Sequence, residues 1–195
     1  MALTVTAKVT HIQSLAEARF CAGMGVEILS FLLDDNGLTL EEAAGIAGWL
    51  AGIKIAVDAV GIPEDNLKQQ IEFLQPNYII VSESQLESWQ NQGEPGFILQ
   101  LNDTDLLSIK NKISLFGDSA EFFEINYQPK WIENDHEDLF IEITNNARVM
   151  VAFHSLHELD SLFRTGKIFR SISLNKSNFT EDDFRKAIEM FEEMD

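Results

Sequence analysis

Eight short apolar runs, each followed by an amphipathic stretch, occupy the chain from end to end. Strands covered on both faces read as such runs, and parallel strands need a helical crossover between them. Eight strand–helix units close a parallel sheet into a (β/α)8 barrel of the TIM type. The competing architecture is an open doubly wound sheet, which commonly ends at about five or six strands. No Asn-Gly hairpin joins two runs, because Asn36-Gly37 leads into a helical pattern. The expectation is a single compact α/β barrel domain over residues 1–195.

The strands are expected at residues 4–9, 26–33, 53–57, 78–81, 97–101, 122–126, 148–153 and 168–174. In the first, Val5, Ala7 and Val9 alternate with Thr4, Thr6 and Lys8, so the two sets face opposite ways. Helix one is expected over 14–22, stopped by Gly23 and Gly25. A turn is expected at 34–37, after which Thr39 with Glu42 forms a capping box for helix two. Pro63 starts helix three, where its missing N–H costs nothing, and Leu67, Ile71 and Leu74 form its buried stripe. Leu86 and Trp89 mark a short helix before a turn at 93–96, and Leu106, Ile109 and Ile113 mark the fifth helix.

Residues 139–143 would pass for a strand on branching alone. The four-residue spacing of Leu139 and Ile143, behind an acidic start, favours one helix over 133–145. Leu156, Leu159 and Phe163 mark a helix closed by Gly166. Thr180 caps the last helix, whose first turn carries Glu181, Asp182 and Asp183. Phe184, Ile188 and Phe191 face inward there, with Met190 and Met194 helping to close the barrel. Tyr127 and Trp131, in the segment after the sixth strand, are expected to pack that segment down rather than serve as a lid.

The charge narrows the partners. Fourteen Lys and Arg against 32 Asp and Glu give −18, a field that repels nucleic acid and anionic membranes. It offers no long-range pull on a phosphorylated substrate either. The single cysteine, Cys21, excludes an intramolecular disulfide and a thiolate metal cluster, and fits a cytoplasmic location. Neither a secretory leader nor an apolar span near the ~20 residues of a membrane helix is expected. The oligomeric state is not set by the sequence.

Chemistry on such a barrel sits where the strands end. The polar residues expected there are Thr10, His11, Asp58, Ser82, Glu83, Asn102, Asn126, His154 and Asn175. His11, His154 and Asp58 are of the types that bind zinc, but no short ligand spacing supports a metal, and no cofactor is expected. Capping and loop hydrogen bonds are the simpler use of both histidines, and His136 and His157 read as solvated helix residues. Lys8 and Glu124 each lie two residues before a strand tip, on the inward face shared with Thr10 and Asn126. A lysine inside a barrel must be paired or neutral, so Lys8 is expected to meet Glu124.

Lys8-Val9-Thr10-His11-Ile12-Gln13, then Ser14-Leu15-Ala16-Glu17-Ala18, Gly23-Met24-Gly25-Val26-Glu27 and Leu38-Thr39-Leu40-Glu41-Glu42-Ala43, resemble the first third of phosphoribosylanthranilate isomerase. That tryptophan-pathway barrel opens on Lys-Ile-Cys-Gly-Ile-Thr. The resemblance implies the same fold and a site at the strand ends. It also implies a cysteine base where Thr10 stands and an aspartate acid where Asn126 stands. The family's arginine after strand two is absent from residues 34–39, and Tyr127-Gln128-Pro129-Lys130-Trp131 replaces its Gly-Gly-Thr-Gly loop. Phe153-His154 replaces the glycine pair after strand seven, and Ser173-Leu174-Asn175-Lys176-Ser177 replaces Asp-Val-Ser-Ser-Gly in strand eight. Threonine needs a partner base to abstract a proton, an amide has no proton to deliver, and bulky side chains block the backbone N–H groups that cradle phosphate.

Two functions follow from this pattern. The first is a relative of the isomerase that does not run the family reaction and binds a small molecule at the barrel mouth, or a protein. The second is an active phosphosugar isomerase with altered catalytic residues.

Overall fold

The structure, a computed structural model, describes residues 5–33, 37–89, 95–133, 136–146, 148–166 and 169–192. Its strands are β1 (Thr6–Thr10), β2 (Ile28–Leu32), β3 (Lys54–Asp58), β4 (Tyr78–Val81), β5 (Gly96–Leu101), β6 (Phe122–Asn126), β7 (Val149–Phe153) and β8 (Ser171–Asn175). Each pairs in parallel with the next, and β8 returns to β1, so the sheet closes as a barrel. The open-sheet alternative is thereby removed.

The helices are α1 (Leu15–Gly23), α2 (Leu40–Ala47), α3 (Glu64–Leu74), α4 (Glu83–Trp89), α5 (Leu106–Leu115), α6 (Lys130–Glu133), α7 (Glu137–Thr144), α8 (Leu156–Phe163) and α9 (Glu181–Glu192). A single 3₁₀ turn, Lys176–Asn178, follows β8.

Local chemistry starts most of these helices. Ser14, Asp105 and Ser155 cap α1, α5 and α8 by accepting the backbone N–H three residues on. The Thr39–Glu42 capping box forms as expected. Pro63 sits one position earlier than expected, as the residue preceding α3. The expected helix over 133–145 divides into α6 and α7, and His136 is the exposed N-cap of α7 rather than a helix residue. Strand β1 ends at Thr10 rather than Val9, and β3 ends at Asp58, so both tips join the sheet. The expected turns at 34–36 and around Gly93, the start of the last strand at Ile168, and Met194 lie outside the described residues.

Two apolar regions hold the fold. The larger lies between the sheet's outer face and the helices and takes in Val5, Ala7, Val9, Phe184, Ile188 and Phe191. The smaller fills the barrel interior with Ile28, Ala56, Tyr78, Ile80, Ile98 and Met150. Polar side chains complete the interior: Lys8, Ser30, Glu124 and Ser173 are all buried, and Ser30 Oγ has no hydrogen-bond partner among the described residues. Cys21 lies on the buried face of α1, and burial pushes its thiol up to about 12.

At the end of the barrel where the strands start, the Lys54 ammonium donates to Tyr78 Oη at 2.9 Å, and that hydroxyl donates to Glu121 Oε1 at 2.9 Å. Gly96 lies close beside this chain: a Cβ there would sit 2.6 Å from Glu121 Oε2 and 3.1 Å from the Tyr78 ring, so any side chain would make the carboxylate shift.

Tyr127, Trp131, Phe140, Phe153 and Phe169 stack as one aromatic cluster between β6, α6, α7 and β7. Trp131 is 1% exposed, and its indole N–H donates to Thr104 O at 3.1 Å. Packing, not a lid, is therefore the role of Tyr127 and Trp131.

Candidate functional site

At the strand ends the barrel narrows onto a cavity of about 70 Å³. Lys8, Thr10, His11, Asp58, Glu124, Asn126, His154 and Asn175 line it, bringing eight of the expected residues together. Gln100 and Ser173 line it as well, with Ile80, Ala152 and Phe153. Register explains the two additions: Ser173 lies beside Lys8 across β8 and β1, and Gln100 beside Glu124 across β5 and β6. The signal in the sequence is a lone polar residue in the apolar run of β5 for Gln100, and the polar alternation Ser171, Ser173, Asn175 of β8 for Ser173.

Ser82 does not line the cavity. Its backbone N–H and its hydroxyl both donate to Gln85 Oε1, at 3.0 and 2.9 Å, which ties it to the first turn of α4. Glu83 faces away too, 2.6 Å from the Lys112 ammonium.

Lys8 and Glu124 form a buried ion pair across the interior, with side chains 0% and 6% exposed. Two charges leave water together here, so their attraction and the remaining hydrogen bonds must offset desolvation. Asp58 accepts the Val60 N–H at 3.1 Å. Burial nevertheless raises its pKa, and the neighbouring Glu124 adds to the rise, against the opposing pull of that hydrogen bond and of Lys8.

A carboxyl whose folded pKa is raised binds its proton more tightly in the native state. Its contribution to stability is present below the ordinary value of 3.8 and is lost as pH rises through the raised folded value. Asp58→Asn, which keeps an acceptor for Val60, is expected to gain stability relative to the native chain between pH 4 and pH 7. Urea midpoints at the two pH values test this, and a constant difference would refute it.

His11 leaves β1 with φ 59°, a left-handed conformation that histidine tolerates better than most residues. The strand tip is held by its side chain: Nδ1–H donates to Asn175 Oδ1 at 2.8 Å. The same oxygen accepts the Ser177 N–H at 3.0 Å. Both His11→Ala and His11→Gly lose the bond to Asn175, but only glycine is at ease at positive φ. The glycine variant is expected to be the more stable by about 1 kcal/mol in urea unfolding; equal midpoints would show the turn to be unstrained.

Across the mouth, His154 Nε2–H donates to Asn126 Oδ1 at 3.1 Å, and Asn126 Nδ2 donates to Asn102 Oδ1 at 3.2 Å. The backbone N–H of His154 donates to Glu158 Oε2 at 2.7 Å. Both histidines are therefore engaged in hydrogen bonds at the strand ends. Among the described residues no group of three or more His, Cys, Asp or Glu side chains is placed to hold a metal ion. What the mouth offers chemically is one paired amine, two carboxyls of different environment, and two imidazoles each donating one ring N–H to an amide oxygen.

Comparison with known proteins addresses the architecture. No protein-family model matches the sequence, and no curated protein does. Solved structures do match. Phosphoribosylanthranilate isomerase from Thermus thermophilus shares 13% identity at a TM-score of 0.74, covering 98% of this chain and 100% of its own. N-(5'-phosphoribosyl)anthranilate isomerase from Pyrococcus furiosus shares 11% at 0.71, covering 97% and 99%. A phosphoribosyl anthranilate isomerase in complex with reduced 1-(o-carboxyphenylamino)-1-deoxyribulose 5-phosphate shares 12% at 0.74, again covering 97% and 99%. The chain has the closed eight-stranded fold of these isomerases over almost its whole length.

Proposed function

We propose that this chain is an isomerase-like barrel that has given up the family reaction and binds a small polar molecule at its mouth. The observation that carries this reading is that the chain's own side chains occupy the donors that would hold a phosphate. Barrel enzymes of this type bind phosphate at the loops after strands seven and eight and at the start of a short extra helix. Here Glu158 Oε2 takes the His154 N–H after β7, and Asn175 Oδ1 takes the Ser177 N–H of the 3₁₀ turn. A phosphate would have to displace a carboxylate from the first and an amide from the second.

The proton chemistry points the same way. Thr10, at the position of the family's base, has no side-chain hydrogen bond to a group that would activate it, among the described residues. Asn126, at the position of the acid, spends its amide on Asn102 and His154. Size agrees: about 70 Å³ is well below the roughly 300–1,000 Å³ of pockets that bury drug-sized ligands. The ligand in the isomerase complex, a carboxyphenylamino sugar phosphate, belongs to the larger class.

Incubation of the purified chain with phosphoribosylanthranilate tests the proposal. The expected result is conversion no faster than the uncatalysed background. Turnover above background, lost in Thr10→Val and Asn126→Ala, would establish the active-isomerase alternative instead. A thermal-shift series completes the test: compact polar compounds are expected to raise Tm and sugar phosphates to leave it unchanged.

A further inference from the structure

One charge at the mouth cavity has no counter-charge. Lys8, sealed at 0% exposure, and Glu124 neutralise each other. Asp58 also lines the cavity, accepts the Val60 N–H, and has no ion-pair partner among the described residues. Burial raises its pKa, as it does for a carboxylate short of compensation. Lys8 is the one lysine or arginine of the lining, and it is already spent on Glu124, so the chain itself brings no cation to Asp58. The overall charge of −18 favours cations over anions at any opening.

The oxygens around Asp58 are a second, independent observation. Thr10 and Ser173 are 8% and 2% exposed, both line the cavity, and neither hydroxyl has a hydrogen-bond partner among the described residues. The Gln100 side-chain amide, also in the lining, is unspent in the same way. Polar groups this deep are normally paired, so these are placed to meet a guest. A carboxylate only accepts, and hydroxyl and amide oxygens accept as well, so the guest that satisfies them together is a donor. The volume of about 70 Å³, against the ~30 Å³ share of a water molecule, limits it to a few heavy atoms. A multivalent metal is set aside, because among the described residues no three His, Cys, Asp or Glu groups converge.

We propose that the mouth binds ammonium or a small primary alkylammonium ion, its charge beside Asp58 and its N–H groups shared among Thr10, Gln100 and Ser173. This names the ligand class of the small-molecule site proposed above and rests on that reading. Neither access to Lys8 nor a change in its ion pair is needed.

Thermal unfolding of the full chain tests this at about pH 8, where imidazole is ordinarily uncharged. Tetramethylammonium chloride serves as the background salt, since that ion has the charge but no N–H. Replacing about 100 mM of it by methylammonium chloride is expected to raise Tm by about 3 °C, the shift for a site filled several-fold above its Kd. Potassium chloride in its place is expected to leave Tm within about 0.5 °C of the background. Asp58→Asn keeps the acceptor for Val60, removes the charge, and should abolish the rise. Ser173→Ala should weaken methylammonium binding about tenfold, the loss of one hydrogen bond to a charged group. In nitrogen-15 NMR spectra the Gln100 side-chain amide is expected to move with methylammonium and to stay still with tetramethylammonium.

No rise with methylammonium would mean that water alone fills the cavity, or a neutral guest, and would overturn the proposal. An equal rise with potassium, or an undiminished rise in Asp58→Asn, would overturn it too. So would a rise that leaves the Gln100 amide unmoved. Acetamide separates the two levels of failure. A rise with acetamide and none with methylammonium refutes the cation and keeps the small-ligand reading. Turnover of phosphoribosylanthranilate refutes that reading itself.

Discussion

Replacing Lys8 by methionine is expected to destabilise the fold by about 3–5 kcal/mol, because it strands the Glu124 carboxylate in the barrel interior without its counter-charge. Glu124→Met is expected to cost a similar amount by stranding the ammonium. The double replacement removes both charges and fills the interior with side chains of comparable volume beside Met150 and Ile98. It should recover most of the loss and come within about 1 kcal/mol of the native chain or above it. Urea unfolding of the four proteins closes the double-mutant cycle. Additive losses would show that the two groups are independent. Recovery would show that the pair adds little net stability and fixes the register of the interior instead.

The second large effect is expected at Trp131. Its removal to alanine empties a fully buried indole site and leaves Thr104 O without its donor. A cost of about 3–5 kcal/mol follows from the lost burial and the cavity left behind. Trp131→Phe keeps a ring against Phe140 and should lose about 1–2 kcal/mol, chiefly the hydrogen bond and part of the volume. A side chain working only as a cover over the mouth would change ligand affinity and leave the unfolding midpoint where it was. An unchanged midpoint in Trp131→Ala would therefore contradict the packing role.

What the sequence disclosed depends on which face of a strand is asked about. Both faces of a barrel strand are buried, so the apolar runs announce strands without saying which side is inside. The charged residues break that symmetry. Lys8 and Glu124 have no tolerable place in the layer between sheet and helices, and their spacing from the strand tips sets them inside together. Gln100 and Ser173 escaped notice because uncharged residues are tolerated in many places, and only the pairing registers put them beside the ion pair.

Ser82 stands at a strand tip, but position alone does not say where a short side chain points. Gln85, three residues on, claimed its hydrogen bonds. The division between α6 and α7 was hidden for a related reason. Leu139 and Ile143 carry the helical spacing of α7 alone, whereas Trp131 belongs to a separate turn anchored through its indole to Thr104.

The single thiol, on the buried face of α1, has a practical consequence. With its thiol raised to about 12, only about one molecule in ten thousand would carry a thiolate at pH 8, and that atom is sealed from solvent. Alkylation by a reagent such as iodoacetamide then requires the chain to open first. The reaction rate at this one site becomes an intrinsic gauge of how often the barrel comes apart, without any engineered label.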